Sequence, residues 1–596
     1  MGEHRNLFLA IGLSAIILLG YQFLVLGPQA ERQRAERAAE LAQQAMEQQD
    51  GELAEGLTDG LTQAADSRPT GFNPNGARIN IDATDVVGSF ALTGARLDDL
   101  RLRQYAVAVD DETRVTLLSP EGLDNAYFAR DGWSRVEGSQ LFDITRADSE
   151  WEIISGDTLT ETTPVVIGFT ADGVEIRRTL TIDEHYMVTY EDTVTNTTDS
   201  PISLARFGEV RRYGVPEYFQ NFFILHEGQI GVVDGRRHQV KYNNIDAGDE
   251  ETWIGNGGWM GITDKYWLAA AIPDQTVRFG GEFSASSENG ELVITSRYVT
   301  QPIALQPGSS HSSTSRVFAG AKEVDVLQAY QSDLEIDHFD LAVDWGNFWF
   351  LTRPYFILLN FFSGWLGGIG AAILAVTVLV KLIFFPIANR AYASMAKMKA
   401  VQPKVQEIRE RFASDQQKQQ QAMMELYRNE KINPVAGCLP ILIQIPIFYA
   451  LYKTLFVTLE MRHQPFVGWI NDLAAPDPTT IWNIFGLIPW DPSGVWLIGG
   501  FLAVGLWPIL MAVSMAAQQA LNPPPPDPMQ ARIFAFLPWV FMFMLANFPA
   551  GLVIYWTWNN LLSVGQQYVI MRRHGNETQL DKLIARLRNG SKGDES

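Results

Sequence analysis

A lysine inside an apolar stretch is the residue of this sequence with most chemistry to explain. Gly367–Pro386 reads GGIGAAILAVTVLVKLIFFP, with Lys381 as its one charge. A run of about 20 apolar residues matches the roughly 30 Å hydrocarbon core of a bilayer. A charge near the centre of that core costs about 2.5–3.5 kcal/mol on insertion scales. Thr377 stands four residues before the lysine, on the same helix face. Later apolar runs carry polar residues too: Gln444 between Pro440 and Pro446, then Tyr555, Asn559 and Ser563 at four-residue spacing, with Asn560 and Gln566 beside them. Polar groups in a membrane face a bundle interior or a wet cavity, and a cation in such a cavity attracts acidic groups. Two roles stay open for Lys381. It lies five residues before Pro386, roughly 7–8 Å at helical rise, which is close to the snorkelling reach of a lysine. The polar stripes serve equally well as plain inter-helix hydrogen bonds.

The elements that would position these residues follow from charge and hydropathy. The net charge of −22 over 596 residues is unevenly distributed. Glu31 to Asp344 is rich in Asp and Glu, whereas the segments beside the later apolar runs are rich in Lys and Arg. The acidic part excludes a nucleic-acid surface, which needs a basic stripe. Cys438 is the single cysteine, so no intrachain disulfide forms, and its Val435-Ala-Gly-Cys438 context lies far from the N-terminus for a lipoprotein box. The histidines show no HExxH or Cys/His spacing, and no GxxxxGK[ST] is present. No metal or cofactor is expected.

Residues 1–27 hold Leu7–Leu26, an apolar run of spanning length behind His4 and Arg5. No small-x-small site follows it, so an uncleaved anchor with a cytoplasmic N-terminus is expected. Residues 28–76 read as a linker, Ala/Glu/Gln-rich and then turn-rich. Across 77–344, short β-branched and aromatic runs recur between turn formers: Arg78–Val86, Glu152–Ser155, Thr163–Phe169, Val174–Ile182, Met187–Thr195 and Glu291–Tyr298. They indicate an exported antiparallel β-sandwich. Its Trp, Tyr and acidic loop residues suit a sugar site or simply the sandwich core. Residues 345–366 are aromatic-dense and read as an amphipathic helix on the outer surface, leading into a second span at 367–386. Residues 387–434 form a basic cytoplasmic helical hairpin, in which Met398, Val401, Val405, Ile408 and Phe412 make a coiled-coil seam. Residues 435–571 supply four further spans, at Ala436–Leu459, Val495–Ala512, Ile533–Ala546 and Leu552–Ile570, and 572–596 form a basic tail. Six spans put both ends inside, with the most basic segments on the cytoplasmic side.

Three stretches carry a resemblance: Ala393-SMAKMKAVQPKVQEIRERF-Ala413, Lys431-INPVAGCLPILIQIPIFYAL-Tyr452, and Asp527-PMQAR-Ile533 with Phe548-PAGLVIY-Trp556. In these the chain resembles the YidC-type membrane protein insertases of Gram-negative bacteria, relatives of the Oxa and Alb insertases of mitochondria and chloroplasts. The resemblance is strong over about 345–573 and weaker over 77–340. It implies a multi-pass α-helical inner-membrane protein of six spans, with both termini cytoplasmic and a periplasmic domain similar to a mutarotase-like β-supersandwich. The implied function is that of an insertase and folding chaperone, not an enzyme. Nascent membrane proteins would pass from the cytoplasm into lipid through a hydrophilic groove closed on the outer side. Its implied partners are those nascent chains, the ribosome, Sec translocon components and membrane lipids. The groove's basic residue matches Lys381, the threonine one turn away Thr377, and the aromatic pair of the last span Tyr555 and Trp556. Gln444 and Asn559 complete the expected substrate-binding set. The family residue at Lys381 is commonly arginine, which offers a planar fork that lysine lacks, and Trp556 replaces a tyrosine. A secondary transporter or channel fits less well, for want of an inverted repeat and of an intramembrane carboxylate. A membrane-anchored carbohydrate-binding protein would leave five polar-faced spans without a task.

Overall fold

The structure is a computed structural model that describes residues 76–109, 112–123, 125–216, 219, 225–412, 415–430, 439–481, 484, 488, 504–521 and 528–573. The expected anchor at 1–27, nearly all of the linker and the tail from 574 lie outside these residues, as does most of the run before 504. The chain divides into two compact units between Trp345 and Gly346, and each is described by itself.

The first unit is a β-sandwich. Strands such as Val174–Ile182 bury every second side chain, the period that puts one strand face against a core. Its twelve-stranded sheet follows the path Glu250–Asn256, Arg278–Glu288, Glu291–Thr300, Ile202–Tyr213, Tyr127–Glu137, Arg96–Ala106, Val86–Ala91, Arg78–Asp82 and Thr158–Leu159. Three short strands branch from that path. The nine-stranded sheet runs Arg236–Lys241, Gly228–Val233, Gly258–Thr263, Trp267–Ile272, Ser310–Ala321, Met187–Asn196, Val174–Ile182, Val165–Ala171 and Glu152–Ser155. The stretch read from sequence as one strand, Arg78–Val86, is instead two, because the chain turns where Ala83 N–H donates to Val86 O. One helix, α1 (Val324–Asp333), closes the unit.

Charges as well as apolar side chains join the two sheets. The Arg178 guanidinium reaches Asp192 at 2.7 Å and Asp131 at 2.6 Å. Arg206 reaches Asp131 at 2.8 Å, and Trp133 Nε1 donates to Asp192 at 2.8 Å. Burial by itself raises the Asp192 carboxyl, but the two guanidinium charges more than offset this and hold it below the usual range.

In the second unit α2 (Trp349–Leu366) ends on Gly367, whose φ of 76° is the left-handed cap that glycine adopts without strain. The helix α3 (Ile369–Ala400) follows. It does not stop at Pro386, where the sequence places the end of the span, but runs on for fourteen residues into the expected hairpin. Pro386 removes one N–H donor, a loss that helices of a bundle absorb. Pro403 does break the helix. Its ring clashes with the carbonyl four residues back, so α3 stops and α4 (Gln402–Arg411) starts with Pro403 in its first turn. Val401, expected within a continuous seam, is the residue between the two helices. The helix α5 (Gln416–Asn429) returns, capped by Asp415, and Lys404 of α4 pairs with Glu430 at 2.6 Å.

The remaining helices are α6 (Leu439–Val457), α7 (Leu506–Leu521), α8 (Pro528–Met544) and α9 (Ala550–Arg573). Among the described residues, Ile369–Met398 is the one helix long and apolar enough to cross a membrane by length and composition, and Leu506–Leu521 and Ala531–Met544 are shorter apolar helices. Their contacts fix their directions. Along α9, Trp558 meets Leu374 and Ser563 meets Lys381, so α3 and α9 run parallel. Met511 packs near Val553, Asn560 bonds Ser514, and Leu521 packs near Met571, so α7 also runs with α9. Gln444 meets Tyr555 while Tyr452 lies against Phe548, so α6 runs the other way.

The segment 458–480 covers two helix starts. Leu506 N–H donates to Thr479 Oγ1 at 3.1 Å and Trp507 N–H to Asp477 Oδ2 at 2.8 Å. Ala550 and Gly551 N–H donate to Ala475 O and Leu473 O at 2.7 and 3.0 Å. Four N–H groups that helix geometry leaves without partners are thereby satisfied.

Candidate functional site

Lys381 sits on α3 twelve residues from its start, facing α9. Its Nζ donates to Ser563 Oγ at 2.6 Å, and Ser563 Oγ donates in turn to Asn559 O at 2.8 Å. The lysine is half-buried and Ser563 is buried. The described parts of α3, α6, α7, α8 and α9 contain no Asp or Glu, so no carboxylate of these helices neutralises the ammonium. Thr377, one turn earlier and buried, returns its hydroxyl to Ile373 O at 2.6 Å. Its alignment with Lys381 on one face is kept, but its donor is engaged by its own helix.

Gln444 and Tyr555 form a second pair, with Gln444 Nε2 donating to the Tyr555 hydroxyl at 3.0 Å. Tyr555 is buried, and its neighbour Trp556 is wedged between Phe448 and Phe541, with ring centroids 4.7 and 5.4 Å away. Asn559 is buried, and its carbonyl anchors Ser563. The expected residues therefore lie on α3, α6 and α9, as a Lys381–Ser563–Asn559 chain and a Gln444–Tyr555 pair. Trp556 belongs to the aromatic packing beside them.

Sequence reasoning passed over Lys453. It lies within α6 and is buried, and the following Thr454 donates to Thr352 O of α2 at 3.2 Å. The rule that singles out Lys381, a cation within an apolar run, applies to Lys453 equally. Trp558 was also missed; its Nε1 donates to Leu374 O at 3.3 Å and ties α9 to α3.

Residues 78–358 match the YidC periplasmic domain and residues 361–577 the 60Kd inner membrane protein family. A protein of Maricaulis maris named membrane protein insertase YidC is 54% identical over 597 residues, covering 100% of both chains. The chain belongs to the YidC membrane protein insertase family. A second YidC insertase, from Methylorubrum extorquens, is 46% identical over 99% of each chain. A crystal structure of an active YidC insertase, with its first transmembrane domain resolved, covers 82% of this chain and 92% of that one at 16% identity, with a TM-score of 0.35. The expected family is therefore the right one, and the protein is a membrane insertase with a periplasmic β-sandwich and a helical membrane part, resident in the inner membrane. A YidC insertase acts on membrane proteins and is not an enzyme class.

Proposed function

We propose that this insertase receives nascent inner-membrane proteins from the cytoplasm in a hydrophilic groove bounded by α3, α6 and α9, with Lys381 as its attracting charge. The observation that carries this reading is the ammonium itself. It is held at mid-helix by a neutral hydroxyl, and the described residues of the surrounding helices offer it no carboxylate. A cation in a membrane interior is paired, or it marks a path for charge. Here the missing counter-charge is that of the cargo: an acidic segment entering the groove is drawn to Lys381 and crosses a shorter dry distance. The apolar helix behind it then moves sideways into lipid, driven by hydrophobic transfer and the membrane potential.

The alternating directions of α3, α6 and α7 support the later part of the proposed topology of six spans with both ends cytoplasmic. If α3 enters from the outer side, α7 and α9 do so as well and α6 returns, which puts α4 and α5 in the cytoplasm, where they would meet the ribosome or nascent chain first. The segment 458–480 then lies outside, over the starts of α7 and α9, which fits a groove closed on that face. Work alone or beside the Sec translocon is compatible with this arrangement. Thr377, Gln444, Tyr555, Trp556 and Asn559 complete the proposed substrate-binding set.

Lys381→Glu is expected to impair insertion of cargo with acidic translocated segments while the protein still folds, measured in vesicles depleted of the native insertase. Normal insertion by that variant would refute a required groove charge. Crosslinking a stalled nascent chain from positions 377, 444 and 556 tests the groove directly, and labelling confined to the periplasmic domain would refute it.

A further inference from the structure

Ser563 belongs to the polar stripe of α9, but neither that stripe nor the family match gives it a task. Its hydroxyl hydrogen is committed to Asn559 O, at 2.8 Å one turn back on α9, so its oxygen presents lone pairs away from its own helix. Lys381 Nζ lies 2.6 Å from that oxygen, and Ser563 is only 2% exposed. An ammonium has three N–H donors, and an oriented acceptor fixes how the other two point. A flexible four-carbon stem would otherwise let the charge snorkel along its helix toward the polar boundary. We propose that Ser563 is a positioning residue for insertion: it pins the Lys381 ammonium against α9 at mid-helix, leaving two donors directed at an acidic cargo segment. The inference rests on the groove reading above and deepens it by naming what aims the charge. It also accounts for lysine at this place. Arginine spreads its charge over a rigid fork of five donors and needs no such acceptor.

The test is insertion into reconstituted vesicles by the full chain, with two matched cargo proteins whose translocated tails are acidic or neutral. The readout is the ratio of the two insertion rates. For Ser563→Ala the acidic-to-neutral ratio is expected to fall about tenfold, the scale of one hydrogen bond to a charged group. In a Lys381→Arg background the same Ser563→Ala change is expected to shift that ratio less than threefold, because the guanidinium does not depend on the serine. Ser563→Thr, which keeps the hydroxyl and its bond to the i−4 carbonyl, is expected to restore the ratio. A Ser563→Ala protein that keeps the native ratio would overturn the inference, as would one that loses the ratio equally in both backgrounds. Lys381→Gln in the same assay separates the two levels of argument. If it too keeps the native ratio, the groove charge itself is refuted; if it loses the ratio while Ser563→Ala does not, only the positioning role falls.

Discussion

Replacing Asp477 by alanine tests how the covering segment is held. The buried carboxylate accepts from Trp469 Nε1 at 2.9 Å, Thr479 N at 3.0 Å, Thr479 Oγ1 at 2.7 Å and Trp507 N at 2.8 Å. The fit is close enough that a Cβ on Gly505 would lie 2.6 Å from Asp477 Cγ. A hydrogen bond to a charged group contributes about 1.5–3 kcal/mol net, and an orphaned buried donor costs about 1–3 kcal/mol. Four such terms do not add, because water re-satisfies donors near the loop surface. A local loss of about 3–4 kcal/mol is therefore expected, larger than the typical cost of about 1 kcal/mol for a lost N-cap. Hydrogen exchange at the Leu506 and Trp507 amides reports it. At about 1.4 kcal/mol per tenfold, their protection should fall by about a hundredfold or more, while amides at mid-α9 change little. Asp477→Asn keeps one carbonyl acceptor and should lose only about tenfold. Protection within threefold of the native value in Asp477→Ala would refute the reasoning. Equal losses in the alanine and asparagine variants would show that the segment is held by packing and not by this carboxylate.

The periplasmic unit offers a pH test. Burial, with the charge of Asp264 adding to it, pushes the Glu227 carboxyl from 4.5 up to about 7. The folded state then keeps a proton that the unfolded state gives up, so this group's contribution to stability falls as pH rises from 4.5 to 7. That interval corresponds to about 3 kcal/mol. Glu227→Gln should therefore gain stability over the native chain by up to that amount as pH is raised across the window, as read from the unfolding transition of the β unit. A stability difference that is flat in pH would sink the assignment. Burial moves the adjacent His226 the other way, down to about 4, so its contribution is lost as pH falls from 6.5 to 4. The native chain alone would show partial cancellation, which makes the variant comparison necessary. Asp192→Ala leaves Arg178 buried with Asp131 as its remaining carboxylate partner; a loss of about 3–5 kcal/mol in the same unfolding measurement is expected. Pro403→Ala should join α3 to α4, because a proline costs about 3 kcal/mol in a helix interior. Spin labels at positions 393 and 411 would then move apart to the separation of one straight helix, and an unchanged distance would show that tertiary contacts impose the break.

Much of the architecture was legible because it rests on short-range patterns. Alternating burial in Val174–Ile182 follows from a two-residue period in the sequence, and the apolar runs that became α3, α6 and α9 are visible in composition alone. Helix ends were less legible. Pro386 and Pro403 are the same residue in similar company, yet one is carried inside α3 and the other opens α4. A proline sets a local cost, and what decides is whether neighbouring elements compensate it. The ion network of Asp131, Arg178, Asp192 and Arg206 was invisible for a related reason: its members lie far apart in sequence and alternate with apolar residues as surface charges would.

The sequence by itself marked the candidate site residues, a lysine in an apolar span and polar stripes at helical spacing, and it carried the motifs that mark the family. These follow from the cost of charge in hydrocarbon and from helix periodicity, which need no knowledge of neighbours. Only the tertiary structure decided what Lys381 touches. A snorkelling lysine and a pinned one have the same sequence signature, and the difference lies in a hydroxyl 182 positions away. That contact exists because α3 and α9 run parallel and side by side, an arrangement set by packing across the whole unit rather than by any local preference.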